Sequence, residues 1–145
     1  VHLPFADPYC PRGREAVVRS RGSGPLTVVD GGTLVVINGP RFSTRAESRW
    51  HAAAGWSLVG MTGMPEASVA RELALCYTSV ALVTDLDAGV EAGEGVTHEE
   101  VMAVFGQNVE HLKTLLTDVI ASMPTDDACA CQHALDGVPL PFELP

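Results

Sequence analysis

Short β-rich runs alternate with capped helical stretches along this chain, and the alternation constrains the fold more than any other feature. Residues 26–29 and 33–37 are β-branched runs separated by a turn-forming Asp-Gly-Gly at 30–32. Residues 56–59 are a further strand-like run, and residues 80–83 are wholly apolar, which is typical of a strand buried on both faces. Strands that alternate with helices in this way predict a layered α/β fold.

Two capping boxes mark the places where helices begin. Thr44 with Glu47, and Thr97 with Glu100, have the spacing in which each side chain bonds the other residue's backbone amide. The first box predicts a helix to about residue 54 that a glycine ends, and the second predicts a long helix that a proline stops. One face of the long helix is apolar and is expected to be buried: Val101, Val104, Phe105, Leu112, Leu115, Leu116 and Val119.

Two shorter helices are expected from weaker signals. Residues 15–19 follow Pro11 and predict a short helix. Pro65 and Glu66 are typical of a first helical turn, and the apolar residues after them keep helical spacing as far as Tyr77. No internal repeat interrupts this order of elements.

The charge of the chain limits its partners. It has 145 residues, with 9 Lys and Arg against 18 Asp and Glu, for a net charge of -9. This acidic balance argues against nucleic acid and anionic membranes as main partners, because both favour basic patches. No apolar run approaches the roughly 20 residues that cross a bilayer. Sparse charge, 19% of residues, and a mean hydropathy of +0.17 exclude global disorder and are typical of a subunit with a large buried interface.

Polar residues that can bind a ligand follow the predicted strands, in residues 39–44, 60–64 and 84–89. Ligands of α/β folds gather beyond the carboxyl ends of the strands. Asp85 and Asp87 lie two apart after an apolar run, so they point the same way if the extended geometry continues, and such a pair can hold or deliver a proton. The alternative is that one carboxylate caps the following turn while the other is solvated.

Other polar residues have both a functional and an ordinary interpretation. Glu66 is a candidate catalytic carboxylate or a helix-start acid. Arg41 and Arg45 form an anion site at a helix N-terminus, or they are two surface arginines beside an N-cap. His2 and His98 are by default ordinary surface or cap-region histidines. The sequence has no motif for dinucleotides, nucleoside triphosphates, zinc peptidases or serine hydrolases.

The chain's cysteines are Cys10, Cys76, Cys129 and Cys131, which are too few and too unevenly spread for a disulfide framework. Cys76 is expected to be a small core residue. Cys129 and Cys131, with His133, suggest a metal site, but structural zinc sites favour longer cysteine spacings and a second ligand pair. No such pair is evident in the sequence, so we expect no metal and either a redox-labile, disulfide-forming tail or plain tail cysteines.

Six segments in chain order form a joint pattern, at residues 2–10, 38–48 (Asn-Gly-Pro-Arg-Phe-Ser-Thr-Arg-Ala-Glu-Ser), 60–66 (Gly-Met-Thr-Gly-Met-Pro-Glu), 70–72, 76–77 and 84–87 (Thr-Asp-Leu-Asp). The pattern resembles 5'-methylthioadenosine phosphorylase, of the trimeric branch of the purine nucleoside phosphorylase superfamily. The resemblance implies a three-layer α/β/α fold with a mixed central sheet, in which residues 1–145 form the C-terminal portion of a single domain. The Gly-rich turn, Arg-His pair and Thr-Ala loop of the family's N-terminal phosphate site do not occur here.

The resemblance also implies an activity. The family cleaves the N-glycosidic bond of 5'-methylthioadenosine or a related 6-aminopurine nucleoside with phosphate, and releases the purine and a ribose 1-phosphate. Inorganic phosphate is the co-substrate, and no cofactor or metal is expected. The implied partners are a companion chain with the N-terminal half and two further copies of the assembled unit in a cytoplasmic homotrimer, with no nucleic acid and no membrane.

By the same resemblance, Phe42 packs on the purine with Ser43 beside it, and Met61 and Thr62 meet the ribose hydroxyls, with Thr62 also near the phosphate. Asp85 and Asp87 bind the 6-amino group and nitrogen 7. A carboxylic acid at nitrogen 7 supplies the proton that makes a purine a good leaving group. A carboxylate accepts from an amine but repels a 6-oxo group, so Asp85 indicates adenine-type substrates.

The resemblance places further residues around the 5' substituent and the lid. His2 lines the 5'-alkylthio pocket of a neighbouring subunit, with Leu140, Phe142 and Leu144 as further candidates. His98, Val101 and Met102 fall at lid and pocket positions, where a histidine at the first is a departure from the family. Two alternatives stay open, a 6-oxopurine nucleoside phosphorylase and a non-catalytic fragment that acts as an interaction module.

Overall fold

The computed structural model describes residues 2–22, 27–88, 96–126 and 128–140. Its elements are helices α1 (Pro11–Ser20), α2 (Arg45–Ala53), α3 (Gly63–Glu72) and α4 (His98–Ser122), and strands β1 (Leu34–Val36) and β2 (Leu58–Gly60). The described residues include no helix that is long and apolar enough to span a membrane. Parallel strands joined through a helix confirm the α/β class that the alternation predicts.

The two strands form a parallel pair with α2 in the crossover between them. Leu34 lies opposite Leu58, and the ladder continues for three residue pairs. Past its ends, the Ile37 amide donates to the Gly60 carbonyl at 2.9 Å, and the Thr33 carbonyl accepts from the Leu58 amide at 3.0 Å. The loops after β1 and β2 therefore begin side by side, at the carboxyl ends of the two strands.

Two predicted strands are wrong. Residues 27–29 are irregular, and Leu26 lies outside the described residues. Residues 80–83 are not in a strand, and Val83 is 58% exposed, so this run is not buried on both faces. A strand needs a neighbour for its amides and carbonyls, and no described segment forms a ladder with residues 80–83.

The helix starts agree closely with the sequence. Both capping boxes are present, with Thr44 and Thr97 each accepting from the third helical amide. The helix predicted after Pro11 is α1. The end of α3 differs from the prediction, because Ala74 takes a left-handed φ of 52° and the Leu75 amide donates back to the Ala70 carbonyl. The apolar pattern that runs to Tyr77 therefore continues past the end of the helix.

The main core lies between α1 and α4, where Ala16, Val17, Leu115 and Val119 are buried. The predicted stripe of α4 is buried only in this C-terminal half of the helix. Val101, Val104 and Leu112 are half-buried, and Phe105 and Leu116 are exposed. The cause is length, since α1 has 10 residues and α4 has 25, so α1 covers only part of α4. The loop predicted at 88–96 falls mostly outside the described residues.

Candidate active site

A cavity of about 440 Å³ opens beyond β2, between α2, the loop after β1 and residues 81–87. The elements converge here because β1 and β2 are parallel, so the loops that follow them both begin at the carboxyl end of the sheet. Six of the residues selected from the sequence line the cavity: Phe42, Ser43, Met61, Asp85, Asp87 and Val101. Residues spread over 60 positions of sequence, from 42 to 101, thus meet at one site.

The other selected residues do not line this cavity. Thr62 precedes α3 and its hydroxyl does not cap the helix, although it adjoins Met61. His98 and Met102 are exposed on the first turns of α4, and His2 is exposed near the start of the chain. Two of the tail candidates, Phe142 and Leu144, lie outside the described residues, and the third, Leu140, is half-buried away from the cavity.

A turn holds the carboxyl group of Asp85 in place. Its Oδ2 accepts from the Thr84 hydroxyl at 2.8 Å, and its Oδ1 accepts from the Asp87 amide at 2.8 Å. Asp87 has a left-handed φ of 61°, so the extended geometry assumed from the sequence does not continue through the pair. The direction of the Asp85 carboxyl group is set by the turn instead of by strand alternation. This matches the alternative in which one of the two carboxylates caps the turn. Each carboxylate oxygen keeps a second lone pair for a ligand.

Phe42 and Met61 form an apolar part of the wall. Phe42 is partly exposed and Met61 is half-buried. The loop that carries Phe42 approaches Met61 closely at Gly39, where a Cβ would lie 2.8 Å from the Met61 Sδ. A side chain at Gly39 would push the Met61 side chain aside, so the glycine allows the loop and Met61 to lie this close. The cavity therefore combines an apolar wall with two carboxyl groups.

Arg41, in the loop before α2, is bound by a residue of that helix. Its guanidinium makes a bidentate pair with Glu47, at 2.7 and 2.8 Å, and Glu47 also accepts from the Thr44 amide. The Arg41 bonds, with those of Thr44, lower the pKa of Glu47 to about 2. Arg41 thus holds the Glu47 carboxylate in its capping position at the N-terminus of α2. The structure favours this ordinary role over the anion site predicted for Arg41 and Arg45.

Glu66 also has a structural role. It accepts a short hydrogen bond from the Tyr77 hydroxyl and does not line the cavity. This bond and then burial raise the pKa of Tyr77 to about 12, and the Tyr77 ring stacks on Tyr9 at 6.0 Å. Glu66 therefore links α3 to the N-terminal segment, and the geometry favours the helix-start acid over the catalytic carboxylate.

Two polar residues of the cavity, Ser48 and His51, were not predicted from the sequence. Both are buried on the face of α2 that lines it. The Ser48 hydroxyl donates to the Thr44 carbonyl at 3.1 Å. His51 is 5% exposed, contacts the Trp50 and Trp56 rings, and its Nδ1 has no partner among the described residues. Their spacing of three within a predicted helix was the available signal.

A second cavity, of about 540 Å³, lies between α1, α4 and the opposite side of residues 78–83. Its lining is mainly apolar, and its two charged residues, Arg14 and Asp30, pair with each other at 3.1 Å. Paired charges in an apolar groove are typical of a packing surface, so the smaller cavity is the better candidate for chemistry.

Comparison with known proteins agrees with this geometry. The sequence profile of the phosphorylase superfamily matches residues 1–121. This chain belongs to the phosphorylase superfamily. It is 60% identical over 146 residues to an S-methyl-5'-thioadenosine phosphorylase of Mycobacterium tuberculosis, covering 100% of this chain and 53% of that protein. It is 57% identical over 147 residues to a purine nucleoside phosphorylase of Streptomyces coelicolor, covering 100% of this chain and 52% of the relative.

A solved structure shows the same fold in a related superfamily member. The methylthioadenosine phosphorylase of Schistosoma mansoni in complex with adenine superposes with a TM-score of 0.80 at 35% identity. The match covers 88% of this chain and 50% of that one. The chain thus spans about half the length of the relatives it matches.

Proposed function

We propose that this chain forms the purine-binding half of a phosphorylase that cleaves 5'-methylthioadenosine or a related 6-aminopurine nucleoside. The observation that carries the proposal is the cavity that joins Phe42 and Met61 to the carboxyl groups of Asp85 and Asp87. A flat apolar surface beside hydrogen-bonding groups suits a purine. The relatives named for methylthioadenosine, and the related structure that holds adenine, support the same substrate class.

The two carboxyl groups divide the recognition of the base in this proposal. Asp85 is fixed by Thr84 and by the Asp87 amide, and its free lone pairs accept from a 6-amino group. The same carboxylate repels a 6-oxo group. Asp87, which is half-buried, holds a proton at nitrogen 7 and so stabilises the departing purine. The transition state is oxocarbenium-like, as in other glycosyl transfers.

The ribose and phosphate lie towards α3 in this proposal. Met61 contacts the ribose, and the Thr62 hydroxyl, which does not cap α3, binds a ribose hydroxyl and the phosphate. Most of the phosphate site comes from a companion N-terminal half. The exposed side of residues 80–83, at Ala81 and Val83, and the apolar groove lined by α1 and α4 are surfaces for that half.

A trimeric assembly completes the site in this proposal. His2 and the tail, with Leu140 as its described member, reach the 5' substituent bound by a neighbouring subunit. His98, Val101 and Met102 cover the site from the start of α4. No cofactor takes part, and a cytoplasmic location remains a prediction.

Substitution of Asp85 tests the base assignment in the complex of this chain with its N-terminal half. We expect Asp85→Asn to reduce kcat/KM for methylthioadenosine by about 100-fold or more, and to reduce inosine turnover far less. Asp118→Asn is the matched control, because Asp118 is an exposed acid of α4 outside the cavity. Unchanged methylthioadenosine turnover in Asp85→Asn would show that Asp85 does not bind the purine. A preference of the wild-type enzyme for inosine would show that it is a 6-oxopurine nucleoside phosphorylase.

A further inference from the structure

All four cysteines of the chain meet at one point. Cys10 is the N-cap of α1, Cys76 follows α3, and Cys129 and Cys131 belong to the C-terminal turns. Their four Sγ atoms lie within 4.8 Å of one another, and those of Cys10 and Cys129 are 3.5 Å apart. The second cysteine pair that the sequence did not reveal is thus Cys10 with Cys76.

Contacts around the cluster hold its three segments together. The Cys10 amide donates to the Tyr77 carbonyl at 2.7 Å, next to Cys76. Arg12 makes a bidentate pair with Asp126 at 2.7 Å, which ties the start of α1 to the segment before Cys129. In the C-terminal turns, the Gln132 amide donates to the Cys129 carbonyl and the Ala134 amide donates to the Cys131 carbonyl. Backbone hydrogen bonds and one ion pair therefore hold together the three segments that carry the four sulfurs.

The arrangement of the sulfurs fits a tetrahedral ion. Zinc–sulfur bonds of about 2.3 Å place the four sulfurs of a tetrahedron about 3.8 Å apart. The 3.5 Å separation and the 4.8 Å limit bracket this value. A pair of disulfides requires only two close contacts and does not need all four sulfurs to be near one another. The close approach of all four sulfurs therefore fits one metal ion at their centre better than it fits two separate disulfide bonds.

The surroundings suit a closed structural site. Cys10, Cys129 and Cys131 are only 1%, 4% and 5% exposed, and Cys76 lies at the surface, where an ion can enter. Four thiols leave no open coordination position, which is typical of structural rather than catalytic zinc.

We propose that Cys10, Cys76, Cys129 and Cys131 bind one zinc ion that fastens the C-terminal turns to α1 and to the segment after α3. Binding replaces four S–H bonds with four Zn–S bonds and releases four protons to solvent, with no change of oxidation state. Thiolate ligands favour zinc over magnesium and calcium. The site does not depend on the proposed phosphorylase activity, because its residues do not line the candidate active site.

The test is the metal content of the whole chain, produced in medium with zinc and desalted under reducing conditions. We expect one zinc per chain by elemental analysis, and four thiols that react with a thiol reagent only after a strong chelator is added. Cobalt(II) in place of zinc should give sulfur-to-cobalt charge-transfer absorption and the intense visible bands of a tetrahedral site. Cys10→Ser and Cys76→Ser should each weaken zinc binding by more than about 100-fold.

Two controls separate the site from its surroundings. Ala130→Ser lies between two proposed ligands and His133→Asn removes the nearest histidine in sequence, and both variants should keep the zinc. Metal-free chain with four freely reactive thiols would overturn the proposal. So would a native mass lower by four hydrogens, which indicates two disulfides, or zinc that survives Cys10→Ser together with Cys76→Ser. The wild-type measurements decide the question even if a variant does not fold.

Discussion

Gly13 of α1 is a position where a single methyl group should disturb the fold. A Cβ placed there would lie 2.1 Å from the Thr78 Oγ1 and 3.1 Å from the Thr78 Cβ. Thr78 cannot move without cost, because its hydroxyl donates to the Cys10 carbonyl at 3.3 Å. Thr78 also precedes the irregular segment that leads to Asp85. Gly13→Ala should therefore displace this segment as well as α1.

The expected loss follows from two opposing effects. Overpacking of this kind costs about 1–3 kcal/mol. Alanine in place of glycine in a helix returns at most about 1 kcal/mol, and less in a first turn, where Gly13 lies. We therefore expect Gly13→Ala to lower the free energy of unfolding by roughly 1–2 kcal/mol. With a urea dependence of roughly 2 kcal/mol per molar, the midpoint should fall by about 0.5–1 M.

Gly106→Ala is the matched control for urea unfolding followed by circular dichroism. Gly106 lies within α4 and an added Cβ meets nothing within 4 Å, so the same change should stabilise the chain by about 0.5–1 kcal/mol. Adding Thr78→Ala to Gly13→Ala should recover part of the loss, because the nearest Thr78 atom is then the Cβ at 3.1 Å. A Gly13→Ala chain as stable as the wild type would refute the close approach of α1 to Thr78.

Two further changes concern α2. Because Arg41 and Thr44 hold the pKa of Glu47 at about 2, below its model-compound value of 4.5, this contribution to stability should be complete above pH 4.5 and lost as the pH falls towards 2. Acid titration of unfolding should show this loss in the wild type and not in Glu47→Gln, and equal profiles would contradict it. His51→Phe should raise the free energy of unfolding by roughly 1 kcal/mol, because it removes the buried Nδ1 that has no described partner and keeps a ring against Trp56. If His51→Phe instead unfolds at a lower urea concentration than the wild type, the His51 Nδ1 has a hydrogen-bond partner in the native protein.

Features set by neighbouring residues were predictable from the sequence. The capping boxes at Thr44 and Thr97 depend on contacts between residues three apart, so a short window of sequence contains all the necessary information. The loops that line the cavity were predictable for a different reason, since parallel strands send their following loops to one edge. The fold class followed from the alternation of strands and helices, and the position of the candidate site followed from the loops after parallel strands.

Features set by distant segments were not predictable. Residues 80–83 have the composition of a buried strand, but a strand needs a hydrogen-bonded neighbour, and neither β1 nor β2 pairs with these residues. The turn at Asp87 depends on its left-handed backbone, which an Asp-x-Asp pattern does not specify. The cysteine cluster joins Cys10 to Cys129 across 119 positions, and no local pattern reports such a contact.

The most direct test of the central claim is phosphate-dependent cleavage of methylthioadenosine by a completed enzyme. The chain can be co-expressed with the N-terminal half of the Mycobacterium tuberculosis relative, to which it is 60% identical over 146 residues. That relative's own two halves, co-expressed in the same way, are the control. We expect adenine release that requires phosphate and exceeds hypoxanthine release from inosine. No phosphate-dependent adenine release, while the control pair is active, would contradict the account.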